Sequence, residues 1–171
     1  MSRPSALDDW IRDEIAPVLR SHGFVGGPRR FRRRSKDGCV IVKFQNSRDS
    51  YEGHLKFAVN LGAWNARIGD SEPVAARRRC PGWVDCHVGR RLGDLSEARR
   101  ERWWVLEGGG MDRSVAIEVR EALRSEAIPF LESIETVHGM LRFWESQIGP
   151  VADFYRQILA GPDPKPFPEI A

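Results

Sequence analysis

From His54 to Trp64 the chain alternates without a break. Leu55, Phe57, Val59, Leu61 and Ala63 fall on one side, and His54, Lys56, Ala58, Asn60 and Gly62 on the other. Side chains of a strand point to opposite faces in turn, so the pattern predicts a strand with one face in a core. Cys39 to about Ser47 repeats it, with Val40, Val42 and Phe44 set against Ile41, Lys43 and Gln45. Phe24 to Arg34 reads as a third strand, interrupted at Gly26-Gly27-Pro28. "KDG" at 36–38 and "SRDSYEG" at 47–53 are turn and loop signals between them. Connections this short join antiparallel neighbours, so the three strands form a meander.

Helical spacing frames this sheet on both sides. Leu7, Trp10, Ile11, Ile15, Val18 and Leu19 make one apolar stripe over about Ser5 to Ser21, with Ser5 as cap and Asp8 and Asp9 in the first turn. Pro17 predicts a kink or break, and Gly23 the left-handed stop. Two further strands are expected at Cys86–Leu92 and Arg102–Leu106, and "EGGG" at 107–110 is a hinge-like break. Asp112 caps the next helix, with Val115, Val119, Ala122, Leu123 and Ile128 inward; Pro129 marks a kink or a fresh start. Thr136–Ser146 and Pro150–Ala160 read as the last helices, and residues 66–83 as irregular with a helical turn near Val74–Arg78. The order is helix, about five strands, then helices. That segregation predicts an α+β fold in one domain over 1–160, with helices on one sheet face and the other face polar and partly open. Residues 161–171 alternate prolines and read as a disordered tail.

Composition narrows the function classes. Apolar residues at 41% and charged residues at 30% over 171 residues describe a soluble globular chain. No apolar run reaches the length of a membrane span, and "MSRPSALDDW" has no secretory h-region. Cys39, Cys80 and Cys86 leave an odd thiol whichever two pair, so reduced thiols in a cytoplasm are the expectation. The net charge is only +3, but arginine clusters in "PRRFRRR", "ARRRC", "GRRLG" and "EARRERWW". Such clusters suit carboxylate or phosphate recognition, and equally a solvated surface.

"LRSHGF", "RRFRRR", "IVKFQNSR", "FAVNLG", "GRRLGDL" and "RWWVL" occur in that order. The series resembles a bacterial family of domains of unknown function with an HGF turn, an FQ-x-S strand and a VNLG strand, over roughly residues 10 to 135. The resemblance implies a bacterial cytoplasmic domain and carries no catalytic residues with it.

No motif points to a reaction. Cys80 and Cys86 stand too far apart for a zinc knuckle, no second pair exists, and His87 would diverge from Cys86 on a strand. The same divergence argues against a Cys-His catalytic pair. "LEGGGMD" lacks the lysine and hydroxyl of a phosphate loop, so it reads as a turn. His22 and His138 read as helix-end residues. No catalytic residue, metal ligand or cofactor is expected. The remaining candidate is the polar sheet face, where alternation gathers Arg30, Arg32, Lys43, Gln45, Lys56 and Asn60 opposite Phe31, Phe44 and Phe57. Single-strand nucleic-acid sheets offer exposed aromatics for stacking, and none is expected there. The leading expectation is a non-catalytic module, immunity-like or regulatory, that binds an acidic protein. Nucleic-acid binding through the arginines comes second, and an enzyme acting on a small anion third. Oligomeric state is not legible.

Overall fold

The alternation of the middle of the chain becomes a sheet. In the computed structural model, which describes residues 6–71, 82–95, 102–108, 112–147, 153, 156–158 and 160–161, six strands are seen: β1 (Val25–Gly26), β2 (Arg30–Ser35), β3 (Gly38–Asn46), β4 (His54–Asn65), β5 (Val88–Arg91) and β6 (Trp104–Glu107). All pair antiparallel, in the order β1-β2-β3-β4-β5, with β6 also on β4. β5 takes Asn60–Ala63 of β4 and β6 takes His54–Phe57. The two therefore lie end to end along one edge, as a single strand that the chain leaves after Arg91 and rejoins at Trp104. The expected fold class, α+β with a meander between helices, is the one observed.

The helical stripe at the start is built in three pieces: α1 (Ala6–Trp10), a π-helical turn (Ile11–Ile15) and α2 (Ala16–Ser21). The break expected at Pro17 is this π turn, and Pro17 sits in the first turn of α2. His22 caps α2, and Gly23, at φ 80°, turns the chain into β1. The same device recurs later. α4 (Arg113–Ala122) starts from Asp112, whose carboxylate accepts from the Ser114 N–H at 2.9 Å. A second π turn (Leu123–Ala127) leads into α5 (Ile128–Ile134), with Pro129 in its first turn. α6 (Val137–Gln147) follows, its first N–H held by Asp37 Oδ2 at 3.0 Å.

These helices pack on the face that carries Val40, Val42, Phe44, Phe57, Val59, Leu61 and Ala63, all buried. A run of rings crosses that face: Phe31–Phe44 and Phe44–Phe57 at 6.2 Å between centroids, Phe57–Trp104 at 5.9 Å, with Trp10 of α1 at 5.3 Å from Phe57. Burying such rings is the largest favourable contribution a small core can draw on.

The opposite face differs from expectation along half its length. Cys39, Ile41, Trp64 and Ala66 form a second apolar cluster, covered by Trp83 and Cys86 from a 3₁₀ turn (Trp83–Asp85). Trp83 Nε1 donates to Leu61 O at 3.0 Å and fixes the cover. Ile41 is apolar on the side assigned to solvent, and its burial is the reason a cover is needed. Residues 66–71, expected as irregular, form a short helix, α3 (Ala66–Ser71). The expected turn at Val74–Arg78, residues 72–81 including Cys80, and the tail from 162 onward lie outside the described residues, as does most of the expected helix at 150–160.

Candidate functional site

β2 carries the cluster "RRFRRR", and the alternation of the strand divides it. Residues 29, 31 and 33 turn to the helices. Arg29 pairs with Asp8 of α1, and Phe31 is fully buried. Arg33 reaches Glu135 at 2.9 Å and Glu132 at 3.5 Å while lying over the Phe24 ring. These arginines tie the sheet to its helical layer. Arg30, Arg32 and Arg34 turn to the other face.

On that face the registers set out a cross-strand row: Arg30 opposite Lys43, Lys43 opposite Asn60, Asn60 opposite Arg91. Arg32 belongs to the next row, opposite Ile41 and so beside the covered half. Gln45 stands opposite Ala58, and its Oε1 accepts from Asn60 Nδ2 at 2.9 Å. Lys56 lies farther along β4, opposite Val105. All six residues predicted for this face are therefore on it, but they are not equivalent. Neither Arg30 nor Lys43 makes an ion pair among the described residues. Lys56 stands 3.6 Å from Asp49 and is set apart from the Arg30–Lys43 pair. Asn60, expected to be exposed, is fully buried.

A further correction concerns aromatics. The face carries Trp103, half-buried at the point where the chain rejoins the β4 edge. Lys56 Nζ lies 5.2 Å from its ring centroid and the Arg91 guanidinium 4.9 Å. Cation–π contacts of this kind are worth about 0.5–2 kcal/mol each, depending on desolvation. The ring is thus spent on the protein's own cations. The signal in the sequence was "RWW": two adjacent tryptophans on one strand must face opposite ways, and Trp104 takes the core.

The margins carry lesser features. His54 Nδ1 is 2.8 Å from Glu107 Oε1, and its ring stacks on Tyr51 at 4.8 Å. In the covered half, burial pushes the Cys39 thiol up to about 11. The Cys86 thiol is raised by burial first, then by Cys39 and Asp85. Neither is an activated nucleophile. His87 Nδ1 accepts from the Asn65 N–H at 3.0 Å, away from the Cys86 thiol, which is 3.6 Å from Gly82 O. Among the described residues no group of three His, Cys, Asp or Glu is placed to hold a metal, and no helix is long and apolar enough to cross a membrane.

A groove of about 420 Å³ opens on the helical side, lined by Asp8, Arg12, Ala16, Arg20, Gly26, Gly27, Pro28 and Phe31. Its Asp8 is held by Arg29, and its Arg12 by Asp9 and Asp13. Arg20, exposed and in no ion pair among the described residues, is the charge left over.

Comparison with curated proteins finds no match, and neither does comparison with solved structures. A family profile does match, over residues 15–133, which take in α2, the whole sheet, α4 and nearly all of α5. The chain belongs to the DUF4304 family, a domain of unknown function.

Proposed function

We propose that this chain is a bacterial cytoplasmic interaction module, non-catalytic and immunity-like or regulatory in kind, whose open sheet face docks an acidic protein. The observation that carries the reading is the pairing of Arg30 with Lys43, directly across β2 and β3, with no carboxylate answering either among the described residues. Like charges in that position destabilise a sheet. Arg32 and Arg91 extend the positive face to either side. An anionic partner that neutralises the row turns a local cost into affinity and steers encounter.

The test compares the parent with a triple alanine variant of Arg30, Arg32 and Lys43, titrated with polyglutamate and heparin at several salt concentrations. The parent should bind both, more weakly as salt rises, and the variant should lose most of that affinity while keeping its melting temperature. Equal binding by the two proteins would reduce the face to solvated surface.

Trp103 supports a second reading, nucleic-acid binding, because stacking rings are what single strands seek. Its ring is already engaged by Lys56 and Arg91, and this favours the protein partner. A single-stranded oligonucleotide that bound more tightly than polyglutamate would reverse the order. An enzyme acting on a small anion has the weakest support, since the helical-side groove offers Arg20 alone beside the paired Asp8 and Arg12 and no acid, base or nucleophile set with it.

A further inference from the structure

Two polar atoms on the open face are buried with no hydrogen-bond partner among the described residues. Asn60 is fully buried; its Nδ2 donates to Gln45, but its Oδ1 receives nothing. Arg32, two strands away, has a buried Nη1 with no acceptor. Exchanging the two amide orientations moves the deficit of Asn60 to its nitrogen without removing it. Buried groups of this kind forfeit their hydration, and folded proteins keep few of them.

Their placement describes a ligand. Asn60 lies on β4 and Arg32 on β2, one same-face step apart across β3. Strand spacing and pleat put their Cα atoms roughly 12 Å apart, about the span of four residues of extended chain. Arg30 and Lys43 lie alongside. The phosphates of a nucleic-acid backbone are acceptors alone; they answer Arg32, Arg30 and Lys43 but cannot donate to the Asn60 oxygen. An extended peptide presents N–H and C=O groups in turn, so it answers Asn60 with the amide set either way. Its Asp or Glu side chains answer the cations. Asn60 is fully buried, so a peptide reaches its amide only as a neighbouring side chain gives way; Lys43, its partner in the row, is only partly buried and without an ion pair among the described residues.

We infer that the open face takes an extended acidic peptide segment of a partner protein, laid obliquely across β2–β4, with carboxylates at Arg30, Arg32 and Lys43 and a backbone amide at Asn60. This rests on the interaction reading above and names what the partner presents.

The experiment uses the full chain, a fluorescein-labelled peptide alternating Glu and Val, and heparin, followed by anisotropy. Asn60→Leu keeps the side-chain shape and removes both amide atoms. It should weaken peptide binding about tenfold and leave heparin binding unchanged, while Arg30→Ala with Lys43→Ala should weaken both. If Asn60→Leu fails to fold, Asn60→Ser, which withdraws the polar group from the ligand, replaces it with the same expectation. Peptide binding equal to the parent's would mean that Asn60 is answered by buried water only, and would overturn the inference. Heparin or an oligonucleotide binding where the peptide does not would overturn it too, and leave an anion-binding face. Parent protein that bound none of these probes would sink both this inference and the interaction reading; a salt-dependent self-association of the parent in sedimentation would assign the face to a second copy instead.

Discussion

A Cβ built at Gly62 would stand 2.6 Å from Cys86 Sγ and 2.9 Å from Cys86 Cβ, with Trp83 Cδ1 at 3.1 Å. The cover over half the open face is seated where a side chain is missing from β4. Gly62→Ala should therefore cost about 1–3 kcal/mol, as overpacking does, in a denaturant titration. Gly53→Ala meets no atom within 4 Å, but its φ of +81° charges it about 1 kcal/mol for the left-handed backbone. Equal and negligible costs at both would mean that the cover is loose. Its thiol, Cys86, and the Cys39 thiol it covers set a pH dependence. The Cys39 thiol is raised from 9.0 to about 11, and Cys86 is raised as well. Below about pH 9 both folded and unfolded chains hold these protons, so stability is level. Between about pH 9 and 11 the unfolded chain releases them while the native chain keeps them, so stability falls as pH rises, approaching about 1.4 kcal/mol per pH unit for each thiol inside that window. Stability curves at pH about 8 and about 10 should diverge in the parent and converge when Cys39 and Cys86 are both alanine. Parallel profiles would show that the burial is not felt.

At the scale of elements, two prolines share one solution. Each sits in the first turn of a helix that follows a five-residue π turn. The residue before each reaches back five positions, Ala16 N–H to Ile11 O and Ile128 N–H to Leu123 O. The wide turn takes the preceding carbonyls out of the ring's way. A proline in a regular helix costs about 3 kcal/mol; one relieved by a π turn costs little. Pro17→Ala should accordingly change stability by less than about 1 kcal/mol, and a gain near the larger figure, read from the shift in denaturant midpoint, would show strain still stored. The sequence announced a break at Pro17 and Pro129 but not its kind, because the form a break takes depends on what the flanking turns pack against. The same limit governs the sheet. Alternation placed Phe44 and Phe57 inward and Lys43 and Asn60 outward, and the registers agree. It could not say that Trp83 would close over Ile41, that β5 and β6 would share an edge, or that Asn60 would be buried. Those are contacts between segments distant in the chain, and periodicity assigns a face without naming its cover. Trp103 was legible, since two tryptophans in succession cannot both enter one core.

Across the whole molecule, arginine does two jobs that one strand keeps apart. Arg33, with its side chain only 17% exposed, binds two glutamates of the helical layer. Removing it would leave Glu135 partly buried and without that partner, a structural loss. Arg30 is exposed, makes no ion pair among the described residues, and faces Lys43. Its positive charge opposes folding slightly. Arg30→Glu reverses that. The new carboxylate would face Lys43 across the strands, an opposite-charge pair in place of a like-charge one, worth about 0.2–1 kcal/mol in the direction of greater stability. The same substitution cuts the positive row that the proposed partner reads. Stability and binding should therefore move in opposite directions: a higher denaturant midpoint, more so at low salt where the pair is unscreened, together with weaker binding to polyglutamate. A structural role for Arg30 predicts the reverse in the first measurement, a lower midpoint. A solvated surface predicts no change in the second. Only a face held in readiness for an anion predicts a protein that folds better and binds worse.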